Sequence, residues 1–558
     1  MINQLTSHWY CKLISLPVFI LGFLLVFSSC IKEEFNADIL DPSLQINPGM
    51  AAPIGWARYQ LDEILTDSLN ADELLIDENG FISFVYKQDL YSLQASELIS
   101  LPDATVSTFS FLNPTGVPLN LNNLQNDTVF RDSIEFSIPI NGLSGAEIDS
   151  IMLQSGFISY TVSSHYPGMM WDTKILLKDI PNSQVTLSDI HPSGTDSLSL
   201  SGKTLPLHNT PPSQNAISIV VILTLYNSNL TINPGPILDI DIELTELVYS
   251  RLYGYLGQFD LDIGPQSFPV SFYNRIPEGD FHFHNPQLKL EFMNSFGIPV
   301  QISMNNFQAT GSGGQITPMT GSGVPDLVNP KILAYPQYGQ EGESIPDNIV
   351  LIPDNTNLFD VLETSPTEIT VEVNGTTNPA GPPGKNFILD TSQIRVSTEL
   401  LLPMEGYADL ILITDTLDFI MGEFFDNPPE EIIRLIFRIN YLHQFPVDVA
   451  TQIFFADESY SILDSLFHDL NNEKRIVQGA PVNADGVADE FEADPIEIEL
   501  SREQIDNISE SHYIIFNGRV RTTGYEPPPP ANVRFYSFYY FFAHIGAITE
   551  LEINSNDY

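Results

Sequence analysis

Two histidines lie one residue apart in the segment His282-Phe283-His284. In a β-strand, alternate residues project from the same face, so the two imidazoles would lie side by side. Such a pair can hold a transition metal when a third ligand joins it, and Asp280 is the nearest candidate. The alternative is a pair of surface histidines at the end of a strand. We adopt that alternative and predict no metal site here.

A second candidate is the acidic loop of residues 483–490, with the sequence NADGVADE. Carboxylate and amide oxygens are the ligands that Ca²⁺ prefers, but this loop lacks the regular ligand spacing and the terminal bidentate glutamate of an EF-hand. Its Asp485-Gly486 pair is also a strong signal for a tight hairpin turn. We therefore predict a turn, with calcium binding as the alternative.

The usual sequence signatures of enzyme active sites are missing. The chain contains neither the Gly-x-Ser-x-Gly of a nucleophile elbow nor the His-Glu-x-x-His of a zinc protease. Residues 381–385 (GPPGK) have the wrong spacing for a phosphate loop, and no Ser or Thr follows the lysine. Acids are spread so widely that no pair stands out as a glycosidase dyad. We predict a protein that is not an enzyme and needs no cofactor. A hydrolase site assembled from distant acids is a third class that one sequence leaves open.

Residues 1–29 have the pattern of a secretory signal peptide. The apolar stretch at residues 13–27 is short for a membrane-spanning helix and soon gives way to acidic sequence. It ends in the tetrapeptide FSSC at residues 27–30, which resembles a lipobox, the cleavage site of bacterial lipoprotein signal peptidase, with Phe27 in place of the commoner Leu or Val. The resemblance implies a diacylglycerol on the Cys30 thiol, cleavage before Cys30 and acylation of the new N-terminus. The alternatives are an ordinary signal peptide with an incidental cysteine, or an uncleaved anchor.

The number of cysteines agrees with this interpretation. The sequence has two cysteines, and Cys11 lies in the segment that would be removed. The mature chain would then carry Cys30 alone, so an internal disulfide is impossible. A multiply acylated terminus would hold the chain to a membrane far more firmly than a single acyl chain does.

The residues after the cysteine carry a further resemblance. Ile31 is followed by Lys32, Glu33 and Glu34, which resembles the lipoprotein export signal of Bacteroidota. The resemblance implies transport to the outer face of the outer membrane. The alternative is a plain solvated linker, which would leave the protein facing the periplasm.

Composition bounds the possible partners. The formal net charge is −49, yet only 17% of the 558 residues are charged, so the acidity reflects a shortage of Lys and Arg. Such a charge repels nucleic acid and anionic lipid head groups. Hydrophobic residues make up 43% of the chain, enough for packed cores, and 41 prolines and 34 glycines supply many turns.

Strand patterns dominate the sequence. In residues 237–247, aliphatic side chains such as Ile240 and Ile242 alternate with acids such as Asp241. This alternation predicts a strand that is buried on one face and exposed to solvent on the other. Asn79-Gly80 predicts a hairpin before a strand at residues 81–86. Helices are few, although Ser501 and Gln504 form a capping-box pattern. We predict an all-β chain of tandem β-sandwich-like domains with few short helices.

Repeated patterns suggest how the domains are arranged. A strand, a proline and a second strand recur at residues 109–121, 290–304 and 436–455, and a Gly-Tyr element recurs at residues 253–255 and 406–407. These favour diverged tandem β-domains, although shared turn chemistry is an alternative. The predicted divisions are a signal peptide (1–29), a lipidated tether (30–56), an N-terminal segment (57–100) and β-domains at 101–247, 248–400 and 401–558. Residues 535–542 are predicted to form a late strand buried on both faces.

Short segments carry weaker resemblances. The strand–proline–strand element resembles the opening of Ig-like modules related to the LEA type 2 domain, over those few residues only. The chain, with its runs at residues 355–357, 374–379 and 415–419, also resembles a group of Bacteroidota lipoproteins. That resemblance supplies no activity that could be transferred to this chain. Several Asp-Ser/Thr-aliphatic triplets, among them those at Ser133, Ser197 and Ser465, resemble the acceptor sequence for O-glycosylation in Bacteroidota. The alternative is that Asp-Ser marks turns before strands.

Together these features predict a non-enzymatic, lipid-anchored envelope lipoprotein that acts as a binding or scaffolding module at the cell surface. Its predicted partners are the membrane, through the anchor at Cys30, and a glycan or another envelope protein, but not nucleic acid. The alternative function is a carrier of a lipid or other hydrophobic ligand in an elongated β groove.

Overall fold

The computed structural model describes residues 45–46, 49–68, 73–101, 104–122, 128–139, 145–178, 180, 185–189, 193–209, 214–270, 272–273, 279–382, 384–418, 429–467, 474–526 and 529–554. The candidate anchor Cys30 and the predicted export signal Lys32, Glu33 and Glu34 lie outside these residues. The described chain is mostly antiparallel β-sheet, which confirms the predicted all-β class.

The strands up to residue 255 are β1 (Gln45–Ile46), β2 (Gly49–Gln60), β3 (Leu74–Ile76), β4 (Ile82–Gln94), β5 (Ala104–Leu112), β6 (Leu119–Asn120), β7 (Thr128–Pro139), β8 (Glu147–Ser164), β9 (Trp171–Leu177), β10 (Val185–Asp189), β11 (Ser193–Ser199), β12 (Thr204–Pro206), β13 (Ala216–Tyr226), β14 (Thr231–Ile232) and β15 (Pro236–Tyr255). The next group is β16 (Asp260–Pro269), β17 (Gly279–Phe283), β18 (Gln287–Asn294), β19 (Val300–Gly311), β20 (Ile316–Pro318), β21 (Lys331–Ile332), β22 (Ile345–Leu351), β23 (Pro366–Thr377), β24 (Asn386–Leu389) and β25 (Gln393–Pro403). The last group is β26 (Glu405–Asp418), β27 (Ile432–His443), β28 (Val447–Ala456), β29 (Ile462–Ser465), β30 (Lys474–Val477), β31 (Phe491–Glu492), β32 (Ile496–Ser501), β33 (Tyr513–Thr522), β34 (Val533–Arg534), β35 (Tyr540–Leu551) and β36 (Ile553–Asn554).

Helices are short and few. Those described are α1 (Leu61–Ser68), α2 (Ala95–Leu98), α3 (Leu358–Glu363) and α4 (Arg502–Ser509). Within the described ranges, no helix has the length and apolarity needed to cross a bilayer.

The larger sheets form three sandwiches. In the first, the sheet β11-β8-β15-β5 faces the sheet β10-β9-β13-β7, with β12 added to β8 and β24 to β15. In the second, β22-β18-β25-β4-β3 faces β16-β23-β19-β20, with β21 added to β19. In the third, β2-β35-β27, extended by β31 and β32, faces β17-β26-β33-β28, extended by β29, β30 and β34. Two small pairs, β1-β36 and β6-β14, complete the described sheets.

All three sandwiches share one topology. In the first sheet of each, β8, β18 and β27 occupy one position, and β15, β25 and β35 occupy the next. In the second sheet, the equivalent trios are β9, β19 and β28, then β13, β23 and β33, then β7, β16 and β26. The tandem arrangement predicted from the sequence therefore extends to the order of every central strand.

Hydrogen bonds repeat along with the strands. The amide of Phe259 donates to Oγ1 of Thr377 at the end of β23 (2.8 Å), and the amide of Ala408 donates to Oγ1 of Thr522 at the end of β33 (3.1 Å). Both threonine side chains are buried. The same amide-to-threonine hydrogen bond therefore occurs at equivalent positions in the second and third sandwiches.

The proline connections repeat only in part. Pro299 joins β18 to β19 and Pro446 joins β27 to β28, which are equivalent positions. The equivalent connection in the first sandwich runs from β8 to β9 through Pro167, and not through residues 109–121, which join β5 to β6. The strand–proline–strand pattern at residues 109–121 therefore exists but is not equivalent to the other two, because a proline between two strands marks a turn without specifying which strands it joins.

The N-terminal strands are distributed over all three sandwiches. β5 pairs with β15 in the first, β4 with β25 in the second and β2 with β35 in the third. Residues 49–56, predicted as tether, belong to β2, and the strands of the predicted segment 57–100 are divided between the second and third sandwiches. The predicted boundary at residues 247/248 lies inside β15. Local sequence patterns could not predict these pairings, because the partner of each N-terminal strand lies far away along the chain.

Buried side chains connect the sandwiches. One continuous core runs through the first two, and a second fills the third. Leu61, Ile82 and Tyr539 form a smaller cluster where strands of the second and third meet. The amide of Leu61 donates to the carbonyl oxygen of Tyr539 (2.8 Å). The interlocked strands and shared core make the sandwiches interdependent.

Several local predictions can be checked directly. Ile240, Ile242 and Leu244 on β15 are fully buried, as their alternation predicted. Ser501 and Gln504 form the expected capping box at α4. The late strand was wrong, since β35 begins at Tyr540 and its outer face is only half-buried. Residues 535–539 instead form an aromatic turn that packs near the hairpin at Gly80.

Candidate functional site

The histidine pair lies on the third sandwich, where β17 pairs with β26. His282 is opposite Tyr407, and their rings stack with centroids 4.7 Å apart and planes inclined by 9°. Phe359 of α3 contacts the same imidazole at 4.7 Å. Tyr525 meets Tyr407 edge-on, with centroids 6.0 Å apart. We call His282, Phe359, Tyr407 and Tyr525 the aromatic cluster.

Two glycines allow the strands beneath this cluster to approach closely. Gly406 has φ +157°, and a Cβ at this position would collide with the carbonyl oxygen of His282. Gly279, with φ +153°, stands in the same relation to the carbonyl oxygen of Asp409. A side chain at either position would push β17 away from β26 and separate the stacked rings.

The acids around the cluster do not converge. Asp280 Oδ2 accepts a hydrogen bond from the Tyr525 hydroxyl (2.9 Å). Glu363 lies 3.9 Å from Nδ1 of His282, and Glu405 lies 3.9 Å from Nε2 of His284. Each imidazole therefore has its own acid, and Asp280, the proposed third ligand, is bound to a tyrosine. In the part of the chain that the structure describes, no group of three His, Cys, Asp or Glu residues is arranged to hold a metal ion.

Burial sets the protonation of the cluster. It lowers the pKa of His282, although the charges of Glu363 and Asp280 oppose the shift. Burial also raises the pKa of Tyr407, and burial with the hydrogen bond to Asp280 raises the pKa of Tyr525 to about 12. At neutral pH the imidazole is therefore uncharged and both phenols keep their protons. The cluster offers hydrogen-bonding groups and ring faces, without a strong base.

An ion-paired trio stabilises the adjacent strands. Asp409 on β26 accepts hydrogen bonds from Arg519 and Arg521 on β33, and its side chain is only 8% exposed. Burial alone would raise the pKa of Asp409, but the hydrogen bonds and charges of the two arginines outweigh it and hold this pKa below its ordinary value. The Arg521 guanidinium lies 5.3 Å from the centre of the Tyr525 ring. No local sequence pattern predicted this trio, because its members lie on strands far apart in the chain.

The acidic loop at residues 483–490 folds as a turn. Oδ1 of Asn483 accepts hydrogen bonds from the amides of Asp485 (2.9 Å) and Val487 (3.1 Å), and Gly486 has φ +76°. The amide of Asn483 donates to the carbonyl oxygen of Val487 (2.9 Å). Oδ1 of Asn483, which would be the first ligand of a calcium loop, therefore accepts hydrogen bonds within the turn, and the segment folds as the predicted hairpin turn.

A small apolar cavity bears on the carrier alternative. It lies between the two sheets of the second sandwich and is lined by residues such as Tyr91, Leu261, Phe292, Ile302 and Val396. Its volume of about 20 Å³ is close to the minimum that holds one water molecule. An acyl chain would enter only if the sheets moved apart, so this cavity does not support the carrier function.

The predicted glycosylation triplets differ in accessibility. Ser133 on β7 and Ser197 on β11 are exposed. Ser465 on β29 is 1% exposed, and its hydroxyl donates to the carbonyl oxygen of Phe467 (2.7 Å). A transferase acting on the folded chain could reach the first two serines but not the third.

Comparisons with known proteins leave the family open. No protein-family model matches the chain, and neither does any curated protein. A crystal structure of a "putative secreted protein" from Parabacteroides distasonis is similar with a TM-score of 0.26 and 8% identity, over 90% of this chain and 99% of that one. The VP2 subviral particle of infectious bursal disease virus is similar with a TM-score of 0.12 and 8% identity, over 86% of this chain and 83% of that one. The structure of the Macrobrachium rosenbergii nodavirus is similar with a TM-score of 0.14 and 10% identity, over 56% of this chain and 96% of that one. Likenesses this distant do not bear on function.

Proposed function

We propose that this chain is a non-enzymatic envelope lipoprotein, held to a membrane by an acylated Cys30, and that its sandwiches form a binding or scaffolding body. Lys32, Glu33 and Glu34 would direct it to the outer face of the outer membrane. A glycan or another envelope protein would be its partner.

The position of the N-terminal strands carries the proposal. The fourteen residues 31–44 separate Cys30 from β1, so an extended tether reaches at most about 50 Å. β2 then pairs with β35 from Gly49 to Gln60, and β4 and β5 complete the other two sandwiches. A pull on Cys30 would be transmitted through hydrogen-bonded strands to the whole body, which is what a tethered scaffold requires.

The aromatic cluster is the face we assign to the partner. Its half-buried rings, the carboxylates of Asp280 and Glu363 and the guanidinium of Arg521 offer ring faces, acceptors and donors in one place. Such a surface suits a polyhydroxylated or peptide ligand. The net charge of −49 disfavours nucleic acid.

Replacement of the candidate lipidated cysteine tests the proposal. Cys30→Ser should abolish cleavage and acylation, so that the chain keeps its leader and incorporates no labelled fatty acid. Cys11→Ser, in the leader itself, is the matched control and should be processed normally. Unchanged processing and fatty-acid labelling of Cys30→Ser would refute the anchor.

Protease treatment of intact cells tests the orientation. A surface protein is digested on intact cells, while a periplasmic marker survives. If the chain is digested only after the cells are lysed, the surface part of the proposal is wrong and the periplasmic alternative holds.

A further inference from the structure

The outer face of the sheet that contains β2 is unusually apolar at its edge. Trp56 on β2 is 69% exposed and lies opposite His544 of β35. Beyond residue 29 the only other tryptophan in the sequence is Trp171, which is 2% exposed in the first sandwich. A large apolar side chain left in solvent next to the tether suggests a contact surface.

Neighbouring rings extend this surface. The Trp56 and Phe542 rings lie 6.2 Å apart, and Phe542 meets His544 edge-on at 4.6 Å. The Arg58 guanidinium lies 4.9 Å from the centre of the Tyr540 ring. Indole, phenol and guanidinium groups together are typical of side chains at the boundary between lipid head groups and acyl chains. We call Trp56, Arg58, Tyr540 and Phe542 the edge patch.

Arginines offset part of the acidity of this sheet. Arg434 pairs with Glu499 (2.6 Å) and Glu550 (3.1 Å), and Arg438 lies 3.7 Å from Glu497. Arg58 lies opposite Phe542, while Glu490 accepts a hydrogen bond from the Tyr540 hydroxyl and Glu492 lies on β31 of the same sheet. The edge patch therefore combines one arginine with one neighbouring carboxylate, and an anionic bilayer would repel it less than it repels a chain with a net charge of −49.

We propose that the edge patch rests on the phospholipid head groups of the membrane that holds the chain. This inference rests on the proposed anchor at Cys30. The eighteen residues 31–48 keep the start of β2, the strand on which Trp56 lies, within about 65 Å of the acylated terminus. The bilayer would hold the third sandwich in a fixed orientation, with Trp56 and Phe542 among the head groups.

Fluorescence quenching tests the contact. The acylated full-length mature chain is placed in vesicles of phosphatidylethanolamine and phosphatidylglycerol (3:1) that contain lipids brominated near the head group. Trp56 emission should shift to shorter wavelength and be quenched. Emission from Trp171, isolated in a Trp56→Phe variant, should be unaffected. Arg58→Glu should weaken the quenching, while Leu327→Ser, in an exposed apolar loop of the second sandwich, should not.

A second arrangement separates this inference from the anchor. The same mature chain, with a histidine tag in place of Cys30, is tethered to vesicles that contain a nickel-chelating lipid. Quenching of Trp56 in this arrangement supports the edge patch even if acylation at Cys30 fails. A Trp56 that stays unquenched while the chain is vesicle-bound overturns the proposal. Shielding of Trp56 from aqueous iodide without bromolipid quenching, together with a dimer in sedimentation, would assign the patch to a second copy and also overturn it.

Discussion

Replacing Asp409 with asparagine isolates the ion-paired trio of the third sandwich. Removing one partner of a buried ion pair costs about 3–5 kcal/mol. Here Arg519 and Arg521 are 42% and 29% exposed, so water would solvate the freed guanidiniums, and the amide oxygen of asparagine would still accept one hydrogen bond. We therefore expect a loss of about 2 kcal/mol in the free energy of unfolding.

The assay must resolve one sandwich from the others, because three interlocked sandwiches need not unfold in one transition. Hydrogen exchange in increasing urea, read on peptides from β26 and β33, does this. With a slope of about 2 kcal/mol per molar urea, the midpoint for these peptides should fall by about 1 M. Glu497→Gln is the matched control: its partner Arg438 lies 3.7 Å away, and both side chains are about half exposed, so we expect little change.

The pH dependence gives a second readout for Asp409. Its pKa in the folded protein is below the ordinary value, so its stabilising contribution is complete above the unfolded value of about 3.9 and is lost as the pH falls through the folded value. The difference between wild type and Asp409→Asn should therefore be full at neutral pH and shrink in acid. A difference that stays constant down to about pH 3, or none at all, would refute the assigned role of the trio.

Three further outcomes follow from single contacts. Ser501→Ala removes the cap of α4 and should cost about 1 kcal/mol, seen as faster hydrogen exchange in that helix. Asp280→Asn should lower the pKa of Tyr525 from about 12 while burial keeps it above the ordinary value, as measured by ultraviolet titration; no shift would contradict the hydrogen bond. If the chain is O-glycosylated, mass spectrometry should find sugar on Ser133 and none on Ser465, and a modified Ser465 would show that modification precedes folding.

The features predicted from sequence are those decided by neighbouring residues. The buried face of β15 follows from a period of two, because successive side chains point to opposite faces. The cap of α4 needs Ser501 and Gln504 three positions apart, and the turn at Gly486 needs a short side chain and a glycine. Each of these signals lies within a few residues, so the prediction did not depend on the rest of the fold.

The features that were missed depend on residues far apart in the chain. Nothing in the sequence around residue 56 shows that β2 pairs with β35, so residues 49–56 read as tether. Likewise, the stack of His282 on Tyr407 depends on the pairing of β17 with β26, and the third member, Phe359, comes from α3. The types of residue at the candidate site could be read from the sequence, but which of them meet could not.

The order in which the N-terminal strands are used predicts an order of assembly. β5 pairs with β15, β4 with β25 and β2 with β35, so the loop that each pairing closes grows from the first sandwich to the third. Longer loops cost more entropy and form more slowly. The strand next to the tether should therefore be the last of the three to pair, after the C-terminal strands have become available.

A chain that ends at Pro403 tests this dependence. It keeps β5 with β15 and β4 with β25, but it leaves β2 and β17 without the strands they pair with. Amides of β4 and β5 should stay protected from hydrogen exchange, while those of β2 should exchange freely. Protected β2 amides in this shorter chain would show that β2 folds without β35. The tether would then not depend on the third sandwich, and the proposed path of force from Cys30 into the body would fail.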